Sequence, residues 1–181
     1  MNNKSKIFEM SLCALFAGVC CIFSVITIPI GAVPITFGFL GVVFTSVVLG
    51  PVRGFVAVAV YLLLGLFLPL FSGGQNGISA YFGLTGGYIW SYLIVVFVVG
   101  LLSKIKFKNR VVEVVANSVF CFVGVVICYI CGTIQFMIIT GYNLNSALVA
   151  CVYPFVIFDI AKCIIAGVVG TALKNTYKKL K

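Results

Sequence analysis

From residue 10 to residue 52 this chain carries no charge; the interval opens after Glu9 and closes at Arg53. One helix of that length would exceed about 60 Å at ~1.5 Å per residue, roughly twice the ~30 Å of hydrocarbon in a bilayer. The interval must therefore turn back on itself. Residues 54–103 and 114–158 are uncharged too. Hydrophobic residues make up 63% of the chain and charged ones 8%, with a mean hydropathy of +1.28. A soluble domain has about 45–50% and ~25%, so a soluble fold is excluded and an integral membrane protein is expected.

The 181 residues have room for about six crossings of ~20 residues, expected as a single all-α domain over 1–181. Pro29, Gly31 and Pro34 mark the first turn. Span 1 is expected over Ile7–Ile28, span 2 over Thr36–Gly50 and span 3 over Val52–Leu68. A Gly-rich connection, Pro69–Gly87, leads to span 4 at Gly86–Leu102. Span 5 is expected at Val111–Ile139 and span 6 at Ala147–Leu173, separated by a turn at Thr140–Asn145.

The formal net charge is +9, and the positions of the positives carry topology. Lys4 and Lys6 precede span 1, and Arg53 lies between spans 2 and 3. Lys104, Lys106, Lys108 and Arg110 separate spans 4 and 5, and Lys174, Lys178, Lys179 and Lys181 end the chain. All fall on one side of a six-span path, and the three opposite turns have none. The positive-inside rule then predicts both termini in the cytoplasm. The N-terminal segment lacks an A-x-A cleavage pattern and is read as an uncleaved first helix.

Two charges break the apolar pattern. Asp159 and Lys162 stand within span 6, three residues apart and so on one helical face. For a span entered near Val152, they lie roughly 10 and 15 Å deep, with Lys174 roughly 18 Å beyond. Lys162 cannot snorkel that far, so Asp159 is its expected partner. Each charge at depth costs roughly 2.5–3.5 kcal/mol on insertion scales. A pair that merely locks the bundle gains little over apolar residues, whereas a pair facing a cavity offers an acceptor and a cation to a polar ligand. Thr36, Gln75, Asn76 and the Thr85-Gly86-Gly87-Tyr88 turn could join it from the outer side. The long connection is expected to cap the cavity mouth.

Chemistry beyond binding has no support. There is no His, and Glu9 and Glu113 are the only other carboxylates. No phosphate-binding loop of the G-x-x-x-x-G-K-[ST] type occurs. Cys128 and Cys131 form one C-x-x-C, but without His or a second such pair there is no zinc set. The eight cysteines are read as packing residues, and no metal or catalytic residue is expected. Small residues recur at helix-packing spacing in Ala14-x-x-x-Gly18 and Ala166-x-x-x-Gly170.

Several ordered segments carry a resemblance. Ile28-Pro29-Ile30-Gly31-Ala32-Val33-Pro34-Ile35-Thr36 resembles the first outer loop of the BioY family, the biotin-binding S components of energy-coupling factor (ECF) transporters. Leu49-Gly50-Pro51-Val52-Arg53-Gly54, Tyr61-Leu62-Leu63-Leu64-Gly65 with Leu68-Pro69-Leu70-Phe71, Thr85-Gly86-Gly87-Tyr88, and Pro154-Phe155 followed by Asp159-x-x-Lys162 are similar to that family in the same order. The resemblance runs from about Ser11 to Ala172. It implies a six-helix S-component bundle that takes biotin from outside and docks on a transmembrane coupling subunit driven by two ATP-binding subunits. No cofactor would be bound by this chain, ATP being used by the partners. Asp159 and Lys162 take the positions of the family's ligand-binding pair, and Asn76 matches a loop residue that reaches the ligand. Ala14-x-x-x-Gly18 fits the small-residue spacing associated with docking. On this resemblance Asp159 accepts a ureido N–H and Lys162 donates to a ligand oxygen, with Tyr88, Tyr129 and Phe155 against the rest of the ligand. Gly38, where many members have Gln, and Phe158, where many have Gly, depart from the pattern near the expected cavity. The alternative is a stand-alone secondary transporter using Asp159 as a proton site.

Overall fold

The computed structural model describes residues 3–29 and 33–179. Gly31 of the expected first turn and Lys181 lie outside the described residues. Helix α1 (Asn3–Val25) leads into a two-stranded antiparallel hairpin, β1 (Thr27–Ile28) with β2 (Ile35–Thr36), in the register Thr27–Thr36. Helix α2 (Gly38–Gly65) follows. A 3-10 turn (Ser72–Gly74) and the short α3 (Gly77–Phe82) precede α4 (Gly86–Leu102), α5 (Arg110–Thr140), α6 (Leu144–Cys151) and α7 (Val156–Lys179). Helices α1, α2, α5 and α7 are each long and apolar enough to cross a membrane, and α4 is a shorter apolar helix.

Helix α2 is continuous in assignment but not in direction. Gly50 has φ 75° and ψ −173°, angles open to glycine, and Pro51 then supplies a residue that needs no N–H donor at the start of the next arm. A Cβ on Gly54 would touch Thr45 O and Ser46 Cα, so the second arm runs back beside the first. The same reversal brings Gly38 and Tyr61, near opposite ends of α2, to one partner. Ser24 Oγ lies 3.2 Å from the Cβ position of Gly38 and 2.7 Å from Tyr61 Oη. Helix α4 closes over the bend, where Gly100 is held so near Pro51 that a Cβ would meet its backbone at 2.7 Å.

Helix α5 has clear ends. The Asn109 side chain accepts a hydrogen bond from Val111 N at 2.9 Å, and Gly141 terminates the helix in the left-handed region with φ 71°. The expected span 6 differs from the structure. It is two helices, broken over residues 152–155 around Pro154, whose missing N–H and ring do not suit a helix interior. Asp159 consequently sits in the first turn of α7, not about three turns into a longer helix begun at Ala147. Thr36 likewise does not open a span but lies in β2.

The core is packed from Val42, Val43, Val47, Val58, Tyr61, Val95, Val96, Val99 and Val125 of α2, α4 and α5, all but inaccessible. Large apolar side chains such as Ile22, Val52, Ile130 and Ile157 face outward, as lipid-facing positions do. Polar contacts gather at the two ends. At one end Arg53 binds Glu9 at 2.6 Å and Tyr177 Oη at 3.0 Å, while Lys174 binds Glu113 at 3.0 Å and Ser103 O at 2.6 Å. The start of α1, the α2 bend, the α4–α5 loop and the end of α7 therefore share this end. The hairpin, α3 and α6 stand at the other. There Val33, Ile35, Phe136, Ala147, Cys151 and Phe155 form a second apolar cluster.

Candidate functional site

Beneath that cluster, a cavity opens between the hairpin, both arms of α2, the connection before α4, and helices α4, α5 and α7. The cavity itself is about 70 Å³, below the ~300–1,000 Å³ usual for small-molecule sites. Phe39, Phe71 and Phe155 supply apolar wall; Tyr61, Tyr88, Tyr92 and Tyr129 supply rings with a polar tip. Asp159 and Lys162 are the only charged side chains among the described residues that line it.

The pair is bonded on several sides. Lys162 Nζ lies 2.8 Å from Asp159 Oδ1 and donates at 2.8 Å to the carbonyl of Thr36. Its ammonium has three donors, so one remains beyond these two contacts. Tyr129 donates to Asp159 Oδ2 at 2.7 Å. Each carboxylate oxygen thus has one partner and a lone pair to spare. Residue exposure is 8% for Asp159 and 5% for Lys162. The placement of Asp159 in the first turn of α7 sets a negative charge at the positive end of a helix dipole, and Phe37 brings its ring centroid 5.7 Å from the ammonium. The arrangement can accept an N–H and donate to an oxygen of one planar polar group.

Seven of the residues singled out from sequence therefore meet at the cavity: Asp159, Lys162, Thr36, Thr85, Tyr88, Tyr129 and Phe155. Thr36 contributes its carbonyl to Lys162. Tyr88 contributes its ring, since its hydroxyl donates to Cys151 O at 2.7 Å and ties α4 to α6. Gln75 and Asn76 are not brought there. Both are exposed; Asn76 Nδ2 donates to Phe67 O at 3.5 Å, and Gln75 accepts from Phe71 N. Gly38 and Phe158 are also absent from the cavity wall: Gly38 packs on Ser24, and Phe158 is exposed on the outside of α7.

The long connection packs as a wall rather than a loose lid. Leu70, Phe71, Ala80 and Tyr81 are buried in the main core, and Phe71, Tyr81 and Trp90 stack in a chain of edge contacts 5.0–5.3 Å apart. Gly86 and Gly87 allow α4 to press on its neighbours; a Cβ on Gly87 would overlap Cys131 O, and one on Gly86 would overlap Tyr81 O. Of the wall's hydroxyl residues, sequence reasoning missed Ser72, while Thr85 was expected there as part of the turn that opens α4. The hydroxyls of both are buried without a hydrogen-bond partner.

All eight cysteines are free thiols, five of them buried. Among the described residues no cluster has the makings of a metal site.

The BioY family model matches residues 1–179. Among curated proteins, the chain is 33% identical over 173 residues to "Biotin transporter BioY2" of Lactococcus lactis subsp. cremoris, covering 94% of this chain and 92% of that protein. It is 32% identical to "Probable biotin transporter BioY" of Pyrococcus horikoshii, covering 94% and 98%. Among solved structures it is similar to the crystal structure of the S-component for biotin from an ECF-type ABC transporter, with a TM-score of 0.85, 28% identity, and coverage of 97% of this chain and 95% of that one.

Proposed function

This chain belongs to the BioY family, and from that membership we propose that it is the substrate-binding membrane subunit of a biotin uptake system. It is a multi-pass membrane protein and not an enzyme. The observation that carries the ligand reading is the buried Asp159–Lys162–Tyr129 cluster in the wall of a cavity beneath the hairpin end. Biotin's ureido ring has two N–H donors and a carbonyl, which match a carboxylate with spare lone pairs beside an ammonium with a spare donor. Asp159 accepts a ureido N–H, Lys162 keeps that carboxylate charged and donates to a ligand oxygen, and the tyrosine and phenylalanine rings cover the thiophane ring and the chain.

The path is six crossings, with the two arms of α2 counted separately and with both termini cytoplasmic. Supporting this are the reversal at Gly50 and the gathering of Arg53, Lys174 and the α4–α5 loop at one end. Biotin then enters from the opposite, hairpin end. Movement across the membrane needs an ECF coupling subunit and two ATP-binding subunits, which use the ATP; this chain binds no cofactor. Ala14 and Gly18 form the docking face on α1. Ala14 is exposed and the Cβ direction of Gly18 is open, so a partner helix can approach closely there.

Calorimetric titration of biotin into wild type and Asp159→Asn tests the ligand reading. A charge-assisted hydrogen bond is lost, and binding weakens by about 1.5–3 kcal/mol. Unchanged affinity removes Asp159 from the site.

A further inference from the structure

Helix α1 is held unevenly along its length. Among the four long apolar helices it has the smallest buried share. Phe16, Ala17, Cys20 and Ser24 are buried, whereas residues 6–15 include no buried residue. Ala14 belongs to that poorly packed half, so little hydrophobic packing fixes the direction in which it points.

Arg53 supplies what packing does not. Its Nη2 donates to Glu9 Oε1 at 2.6 Å and its Nη1 to Tyr177 Oη at 3.0 Å. Its carbonyl oxygen accepts from Cys13 Sγ at 3.6 Å. The Tyr177 ring stacks on Phe8, with centroids 6.3 Å apart and planes within 13°. One residue thus reaches α1 at two successive turns and joins it to the end of α7. The guanidinium fork sets two acceptors in fixed directions. Its base is rigid, because Arg53 follows the Gly50–Pro51 reversal and precedes Gly54, which packs on the other arm of α2. A partly exposed ion pair adds little to stability, so this arrangement matters for geometry. Ala14 and Gly18 lie about 8 and 14 Å along the helix from Glu9, close enough for the clamp to set their approach angle.

We propose that Arg53 is a positioning residue for assembly: it clamps the cytoplasmic half of α1 to the α2 bend and to α7, and so orients Ala14 and Gly18 toward the coupling subunit. The proposal rests on the docking reading above. The cavity at the other end takes no part in it.

Co-purification with the coupling and ATP-binding subunits, beside equilibrium binding of biotin, tests it on the full chain. The variants are Glu9→Arg, Arg53→Lys and the exchanged pair Glu9→Arg/Arg53→Glu. Glu9→Arg sets two like charges together and is expected to lower the yield of complex about fivefold or more. Arg53→Lys keeps the charge but not the fork, and is expected to lower it about threefold. The exchanged pair is expected to recover at least about half the wild-type yield. Biotin affinity is expected to stay within about twofold of wild type throughout, which excludes a folding defect. Three results would overturn the clamp: wild-type yield in both Glu9→Arg and Arg53→Lys, a loss in Glu9→Arg that a biotin-binding exchanged pair does not restore, or biotin affinity falling in parallel with the yield. Failure of wild type itself to assemble with the subunits overturns the docking reading.

Discussion

Lys162 is the residue on which the other contacts converge. Its ammonium joins the Asp159 carboxylate to the carbonyl of Thr36, so one side chain of α7 fastens the hairpin to the buried pair. Replacing it alone by Met leaves Asp159 buried with only Tyr129 and destabilises the protein by about 3–5 kcal/mol. Adding Asp159→Asn removes the stranded charge. Thermal unfolding in detergent is expected to show the double variant more stable than Lys162→Met, while biotin binding stays lost in both. A double variant that still binds biotin would mean the pair only locks the bundle. The charged pair was legible in sequence because two charges in an apolar run are costly. Ser72 was not, for a local reason. Hydroxyls in apolar helices commonly bond to a preceding carbonyl, as Ser46 does to Val42 O, Ser118 to Val114 O and Thr140 to Phe136 O. Nothing in the order of residues tells an orphan hydroxyl from these. Asn76 misled for the converse reason: a loop amide was free to reach inward, but the turn points it at Phe67 O.

Among elements, glycine placement decides how close α4 comes to its neighbours, and it does so differently at its two ends. Gly87 lies against the backbone of Cys131 near the cavity; Gly100 lies against Pro51 at the far bend. Alanine at either position overpacks a helix crossing, at about 1–3 kcal/mol. The two variants are expected to lower the melting temperature alike, yet only Gly87→Ala should weaken biotin binding, because it displaces Tyr88 and the head of α4. Equal affinity in both variants would argue against α4 as a cavity wall. Element boundaries were legible wherever a chain terminator stood in place. The expected span over Gly86–Leu102 coincides with α4, and the Asn109 cap and Gly141 stop set α5 close to its expected limits. The α6–α7 break was lost because the apolar run continues through it; only Pro154 marks it. The hairpin β1–β2 was lost because two residues per strand carry no readable alternation.

Over the whole molecule the two ends differ in kind. One end is tied by the Arg53–Glu9 and Lys174–Glu113 ion pairs; the other carries the hairpin, α6 and the cavity mouth. Charge distribution along the sequence foretold which segments share the first end, because loops on one side of a membrane collect Lys and Arg. Binding and docking occupy separate surfaces on this account, with ligand inside the bundle and partner on the outside of α1. An Ala14→Leu/Gly18→Leu variant is therefore expected to bind biotin as wild type does but to fail to co-purify with the coupling and ATP-binding subunits. An intact complex would displace the docking face from α1. The most direct measurement of the central claim is a crystal structure of the protein grown with biotin. The account predicts the ureido ring within hydrogen-bond distance, about 2.7–3.2 Å, of the Asp159 carboxylate, with the ring of the vitamin inside the cavity. Biotin bound elsewhere, with the Asp159–Lys162 pair untouched, would contradict it.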